Sequence, residues 1–283
     1  MAIHRIYALT SIGRPIDLKY SSNRYMVILL APSAVLAVLL GLWQGGSWAD
    51  VLAFALATAL AAFGGWALGR ELDPDDQVAA FVALVLAVLV MLIMGAGRGG
   101  GLFLVLFATL GLVRQVNRTT GLEARLSDSL ILLALTLWVM YGTDNPLFGL
   151  VAGLSFTLDG SLGKPLRRQW VFAILSFGGT VVYMIDHDLG LSVYSTPDSF
   201  PQWLAALVAV VFALNILSTR NVRSESDVSR RPLDPARVRG GMWVSLLAIV
   251  VGLSAVEEVA LIAATAGGVC IAGAIRRSFR NPT

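Results

Sequence analysis

Ten continuous apolar runs, at 25–43, 48–69, 77–94, 99–113, 127–141, 145–158, 170–185, 202–217, 242–256 and 259–275, divide the chain, with polar residues gathered in the gaps. The pattern predicts an all-α fold, a polytopic transmembrane helical bundle of about ten spans. A hydrocarbon core of ~30 Å asks for ~20 residues per helix, and the runs at 99–113 and 145–158 are shorter than that. If the sixth run failed to cross, the loop holding Lys164 and Arg167 would move outside and the Lys- and Arg-free segment 186–201 would move inside. That run is therefore read as a span, broken or tilted.

Laying the runs alternately across the membrane places twenty of the 21 Lys and Arg residues on one side, with Arg98 alone on the other. Short loops that retain Lys and Arg in the cytoplasm are the signature of helical insertion, so both termini are expected inside, with the protein multi-pass in the inner membrane. The expected organisation is a cytoplasmic segment at 1–24, one transmembrane domain at 25–275 and a cytoplasmic tail at 276–283. A cytoplasmic loop at 218–241, rich in Arg, Ser and Pro, is expected to be a mobile strap near anionic lipid.

Composition sharpens this picture: 57% hydrophobic against 14% charged residues is too apolar for a soluble domain of this length. The first 24 residues lack the apolar core and cleavage site of a signal peptide, so the first run is the expected insertion signal. Cys270 is the one cysteine, which excludes an intramolecular disulfide and a paired-cysteine metal site. Gly65 with Gly69, and Gly149 with Gly153, have the four-residue spacing that lets helix backbones approach closely. Trp43, Trp48, Tyr183, Tyr194 and Trp203 lie where interfacial aromatic anchors are expected.

Candidate chemistry is concentrated in the first three inner gaps. The first reads Arg70-Glu71-Leu72-Asp73-Pro74-Asp75-Asp76, the second contains Asn117-Arg118-Thr119-Thr120, and the third runs from Asp159 through Lys164 to Arg167 and Arg168. Asp73, Asp75 and Asp76 are candidate Mg²⁺ ligands, since that hard cation takes one or two carboxylates together with substrate phosphate oxygens. With Asp159 they form the candidate catalytic set, while Arg70, Asn117, Arg118, Lys164, Arg167 and Arg168 are candidate substrate contacts that take phosphate charge. A simpler reading of the same residues makes the acids helix caps and the cations ordinary cytoplasmic topology signals.

The order of these gaps resembles that of the intramembrane prenyltransferases, helical bundles in which Asp-rich motifs on two cytoplasmic loops hold Mg²⁺ and an isoprenoid diphosphate. The resemblance lies in placement, because this chain has Asp73-Pro74-Asp75-Asp76 and a single Asp159 where that family carries longer sets of spaced Asp residues. The Asp-x-Asp-Asp string also resembles the general-acid motif of protonation-initiated terpene cyclases. Ten spans with both termini inside, and the last hairpin from Gly252 to Gly268, resemble the drug and metabolite exporter superfamily.

On the outer side Asp50, Asp144, Asp186, His187, Asp188, Asp198, Glu257 and Glu258 form an acidic surface in which Asp186, His187 and Asp188 are a weaker candidate cation site. No Asp, Glu, Lys, Arg or His lies deep inside a predicted span, which argues against a proton- or sodium-driven transporter. Nucleic-acid binding is excluded, because the basic residues flank lipid rather than forming a basic face interleaved with aromatics. The expected function is a membrane-embedded enzyme acting at the cytoplasmic face on a lipid or isoprenoid phosphate, by Mg²⁺-assisted prenyl or phosphoryl transfer. A ten-helix transporter or lipid translocator is the alternative, and a non-catalytic membrane subunit the third.

Overall fold

The computed structural model describes residues 2–95, 99–188 and 197–280. Among them are eleven α-helices: α1 (Ala2–Leu9), α2 (Ser21–Trp43), α3 (Trp48–Leu72), α4 (Gln77–Met94), α5 (Gly99–Asn117), α6 (Leu126–Gly142), α7 (Phe148–Ser161), α8 (Gln169–Asp186), α9 (Phe200–Ser218), α10 (Pro235–Val251) and α11 (Val256–Arg280). No strand occurs among the described residues. The apolar runs make the helices and the polar gaps start them. Ser47 accepts a hydrogen bond from the Asp50 N–H, Asp76 from Val78 and Asp234 from Ala236, so each supplies an acceptor to a first-turn donor that its helix leaves open.

The α3, α5, α10 and α11 helices pack on one another and, with the short α7, form the interior, with α2, α4, α6, α8 and α9 around them. Burial separates the two sets, with 67% of the apolar stretch of α3 and 61% of that of α11 inside, against 22% for α2 and 28% for α9. The outer helices present apolar side chains outward, including Leu207, Val210 and Leu214 on α9 and Ile174, Val181 and Ile185 on α8. A surface of that kind is solvated by lipid rather than water, and six helices (α2, α3, α4, α8, α9 and α11) are long and apolar enough to cross a membrane. The chain is a multi-pass membrane protein. The apolar stretch of α5 at 102–117 and the 17-residue α6 are shorter, and α7 has 14 residues.

Lipid offers no hydrophobic drive for helices to associate, so close backbone contact matters more here than in a soluble bundle. Gly65 on α3 lies against α4, where an added Cβ would sit 2.8 Å from Ala87 Cβ and 3.1 Å from the Ala83 carbonyl. Gly149 on α7 similarly faces α8, with the Ser176 carbonyl 3.0 Å from such a Cβ. Trp43, Trp48 and Trp203 are exposed, as interfacial anchors are, but Tyr183 is buried, since its hydroxyl donates to Asp144 at 3.0 Å and its ring stacks on His187. Tyr194 lies outside the described residues.

Polar contacts collect at one end of the bundle. Arg70 at the end of α3 reaches Asn23 at the start of α2, Asn117 at the end of α5 donates to the Glu71 carbonyl, and Arg276 near the end of α11 reaches Asp73 just before α4. The segment expected to be a mobile strap is instead held down. Asp227 and Val228 donate their N–H groups to the carbonyls of Thr119 and Thr120, Ser226 and Arg231 pair, and α10 already begins at Pro235. The N-terminal arm is fixed too, through Ser11, whose N–H and hydroxyl both donate to Asp128.

Gly65→Leu should separate α3 from α4 and lower stability in detergent by about 1–3 kcal/mol, read as the midpoint of thermal unfolding. Truncation of the lipid-facing Leu56 to Ala, 63% exposed, should leave that midpoint nearly unchanged.

Candidate functional site

The last turn of α3 carries Glu71, fully buried, and the chain brings two cations to it from distant gaps. Arg14 of the arm donates to Glu71 Oε1 at 3.2 Å, Arg114 of α5 donates to the same oxygen at 3.1 Å, and the Thr119 hydroxyl joins them at 3.2 Å. Arg14 also clasps Asp227 with two hydrogen bonds, at 2.6 and 2.7 Å. Burial works against the charge on Arg14, but Glu71 and Asp227 beside it prevail and hold its pKa above the ordinary arginine value. Glu71, Arg14 and Arg114 were not among the candidates read from the sequence. Their one signal there was an acid and two cations in inner gaps, with nothing to pair them.

A second cluster lies across the same face. Asp159 of α7, also fully buried, accepts from Arg118 at 2.8 Å, from Arg237 at 2.9 Å and from the Gln169 amide at 3.1 Å. Arg237 turns its remaining donors to the carbonyls of Val116, Leu162 and Gly163. Arg118 also donates to the Lys164 carbonyl, and both residues adopt positive φ, +50° and +56°, a conformation that costs an L residue roughly 1–2 kcal/mol. Asp159 and Arg118 are thus bonded to each other. Lys164, Arg167 and Arg168 are exposed, and Arg168 caps the Ala124 carbonyl.

The acidic turn is engaged in the same way. Asp73 faces Arg276 at 3.3 Å, and burial, outweighing that cation, keeps its pKa above the usual carboxylate value. Asp76 caps α4 and lies 3.7 Å from Arg276. Asp75 accepts from the N–H groups of Arg223 and Ser224 and from the Ser224 hydroxyl. Burial opposes its ionisation, but those bonds hold its pKa below the usual value. A divalent cation there would have to displace Arg276 and two backbone donors, and among the described residues no three His, Cys, Asp or Glu side chains gather as a ligand set. The donor set therefore gives the expected Mg²⁺ no support. At the opposite end, His187 stacks on Tyr183 and lies 3.7 Å from Asp186.

A cavity of about 270 Å³ opens on the polar face. Its floor is α3, with Phe63, Trp66, Ala67 and Arg70; the first turn of α2 forms one side, and the arm, Asp227 and Arg230 form the roof. Arg14, Arg70, Arg114 and Arg230 line it against only two carboxylates, Asp17 and Asp227. The Arg70 guanidinium lies over the Trp66 indole, 5.0 Å from its centroid, and donates to the neutral Asn23 amide at 3.1 Å. Among the described residues no carboxylate lies within ion-pairing distance of Arg70. Of the sequence candidates, Arg70 alone lines this cavity; Asp73, Asp75, Asp76, Asn117, Arg118, Asp159, Lys164, Arg167 and Arg168 do not.

No protein-family model, curated protein or solved structure matches the chain.

Glu71→Gln leaves Arg14 and Arg114 facing a neutral amide in a buried place. It should cost about 3–5 kcal/mol of stability, seen in thermal or denaturant unfolding of the purified protein, whereas Asp75→Asn, on an exposed side chain, should cost far less. Equal effects would mean that the Glu71 ion pairs do not hold this face together.

Proposed function

We propose that the protein binds a lipid or isoprenoid phosphate at the cytoplasmic face of the inner membrane, in the cavity between the N-terminal arm and α2, α3 and α5. The cavity's surplus of guanidinium groups carries this reading. Arg70 in particular keeps its charge half-buried with no carboxylate beside it, which favours an anionic ligand. The apolar floor of Phe63 and Trp66, beside the lipid-exposed Tyr25 and Ile28 of α2, suits a ligand whose head is charged and whose tail stays in the bilayer. A cavity of this volume sits just below the range usual for whole small-molecule ligands, about 300–1,000 Å³, and suits a headgroup.

In this reading all ten helices α2 to α11 cross, and both termini are cytoplasmic. The charge distribution of the gaps and the gathering of polar contacts at one end of the bundle support it. The acids that a metal-assisted transfer would use lie outside the cavity wall, bonded to protein donors. The geometry accordingly favours recognition and presentation of the lipid phosphate over Mg²⁺-assisted prenyl or phosphoryl transfer.

Two measurements test these statements. In a Cys270→Ser background, impermeant maleimide on intact cells should label a cysteine at Asp186 and spare one at Arg231, both exposed positions; the reverse pattern overturns the topology. In phosphatidylcholine nanodiscs, native mass spectrometry should find farnesyl phosphate retained and farnesol lost, with retention weakening as salt rises. Equal retention of the alcohol would overturn an anion site.

A further inference from the structure

Helix α2 begins without a side-chain cap. Tyr20 occupies the capping position and offers no acceptor to the first turn, so the N–H groups of Ser21, Ser22 and Asn23 have no acceptor among the described residues. Arg24 N–H is already bonded to the Tyr20 carbonyl. All three open donors belong to residues that line the cavity, at the positive end of a 23-residue helix dipole.

Two further observations point the same way. The Ser22 hydroxyl and the Trp66 indole N–H are buried without a hydrogen-bond partner, on residues only 6% and 4% exposed, and both residues line the same cavity. Buried donors are nearly always satisfied, so two orphans on one cavity wall call for an acceptor that fits between them. Arg70 sits between the two elements. Its guanidinium rests on Trp66, one of its donors is held by Asn23, and Asn23 is in turn oriented by its own amide donating to the Asp17 carbonyl at 3.0 Å. The nearby negative groups are already engaged: Asp227 is clasped by Arg14, and Asp17 accepts from Lys19 N–H.

We infer that the first turn of α2, with Ser22, Trp66 and Arg70, is a cradle for a phosphate group. The helix end supplies backbone N–H donors and the dipole, the serine and indole each add one neutral donor, and the guanidinium supplies charge and a second pair of donors. A tetrahedral oxyanion with three or more acceptor oxygens, a phosphate monoester or a terminal diphosphate, uses all of them; a carboxylate has too few. This deepens the lipid-phosphate reading above and rests on it for the source of the phosphate, since a free phosphate ion would meet the same donors.

The test uses the full-length protein in phosphatidylcholine nanodiscs, with inorganic phosphate, inorganic diphosphate, farnesyl phosphate and phosphatidic acid as separate probes. Ser22→Ala and Trp66→Phe each remove one donor and should weaken binding of the tightest probe about tenfold. Arg70→Gln should weaken it more, and Arg220→Gln, away from the cavity, should leave it unchanged. Because Ser22→Ala removes an orphan donor and empties little space, its ligand-free thermal unfolding should stay level or rise; a drop would mean that this hydroxyl is bonded within the fold and would overturn the cradle. Binding of the lipid phosphates that survives Ser22→Ala and Trp66→Phe also overturns the cradle while leaving the lipid-phosphate reading intact. Binding of inorganic phosphate or diphosphate alone, weakened by both changes, upholds the cradle and removes the lipid as its source. Failure of all four probes overturns both.

Discussion

A carboxylate enclosed away from water is costly unless cations are held against it, and Glu71 and Asp159 are both fully buried. Each takes two guanidiniums from gaps far away in the chain: Arg14 and Arg114 for Glu71, Arg118 and Arg237 for Asp159. Through these four pairs the N-terminal arm, the ends of α3, α5 and α7 and the start of α10 become one plate. Desolvation makes each pair of little net stabilising worth by itself, yet costly to break singly, because the remaining charge has no water to turn to. The rest of the polar face, including the arm and the returning segment ahead of α10, is laid over this plate.

Elsewhere the bundle follows the economy of membrane packing. Its helices touch through small residues such as Gly65 on α3 and Ala83 and Ala87 on α4, while large aliphatic side chains on α8 and α9 face outward to lipid. In such a bundle van der Waals fit and a few polar ties replace the hydrophobic drive that would hold a soluble protein together. That is why the ties are concentrated where the helices end and water begins.

The same plate leaves the two halves of the polar face unequal. Around Asp159 two guanidiniums share one carboxylate, and the spare donors of Arg237 are taken up by backbone carbonyls. Around Glu71 the arm crosses the face, Arg14 binds Glu71 and Asp227 together, and a cavity remains beneath it in which no carboxylate among the described residues lies within ion-pairing distance of Arg70. The cation-rich hollow is thus a consequence of how the arm is anchored: Arg14 is the residue that both neutralises the buried acid and roofs the site.

The apolar runs alone determined the helices, because in a bilayer every backbone group must be bonded within its own helix and a long apolar run has no other stable form. They also made legible the polar end of the bundle, through the Lys and Arg of the gaps, and the close approach at Gly65 and Gly149, through four-residue spacing. Arg70 was readable as a candidate ligand contact for the same reason, as a cation at the end of an apolar run. What the sequence did not reveal was partnership. Asp73, Asp75 and Asp76 look like metal ligands as a string, and only the folded chain shows their oxygens turned to Arg276, Arg223 and Ser224. Arg14 and Glu71 are 57 residues apart, and Asp159 and Arg237 78 apart; no local spacing encodes such pairs. The physical reason is that helix formation is a local property of the chain, whereas satisfying a buried charge depends on which distant ends the packing brings together, and that choice is made in three dimensions.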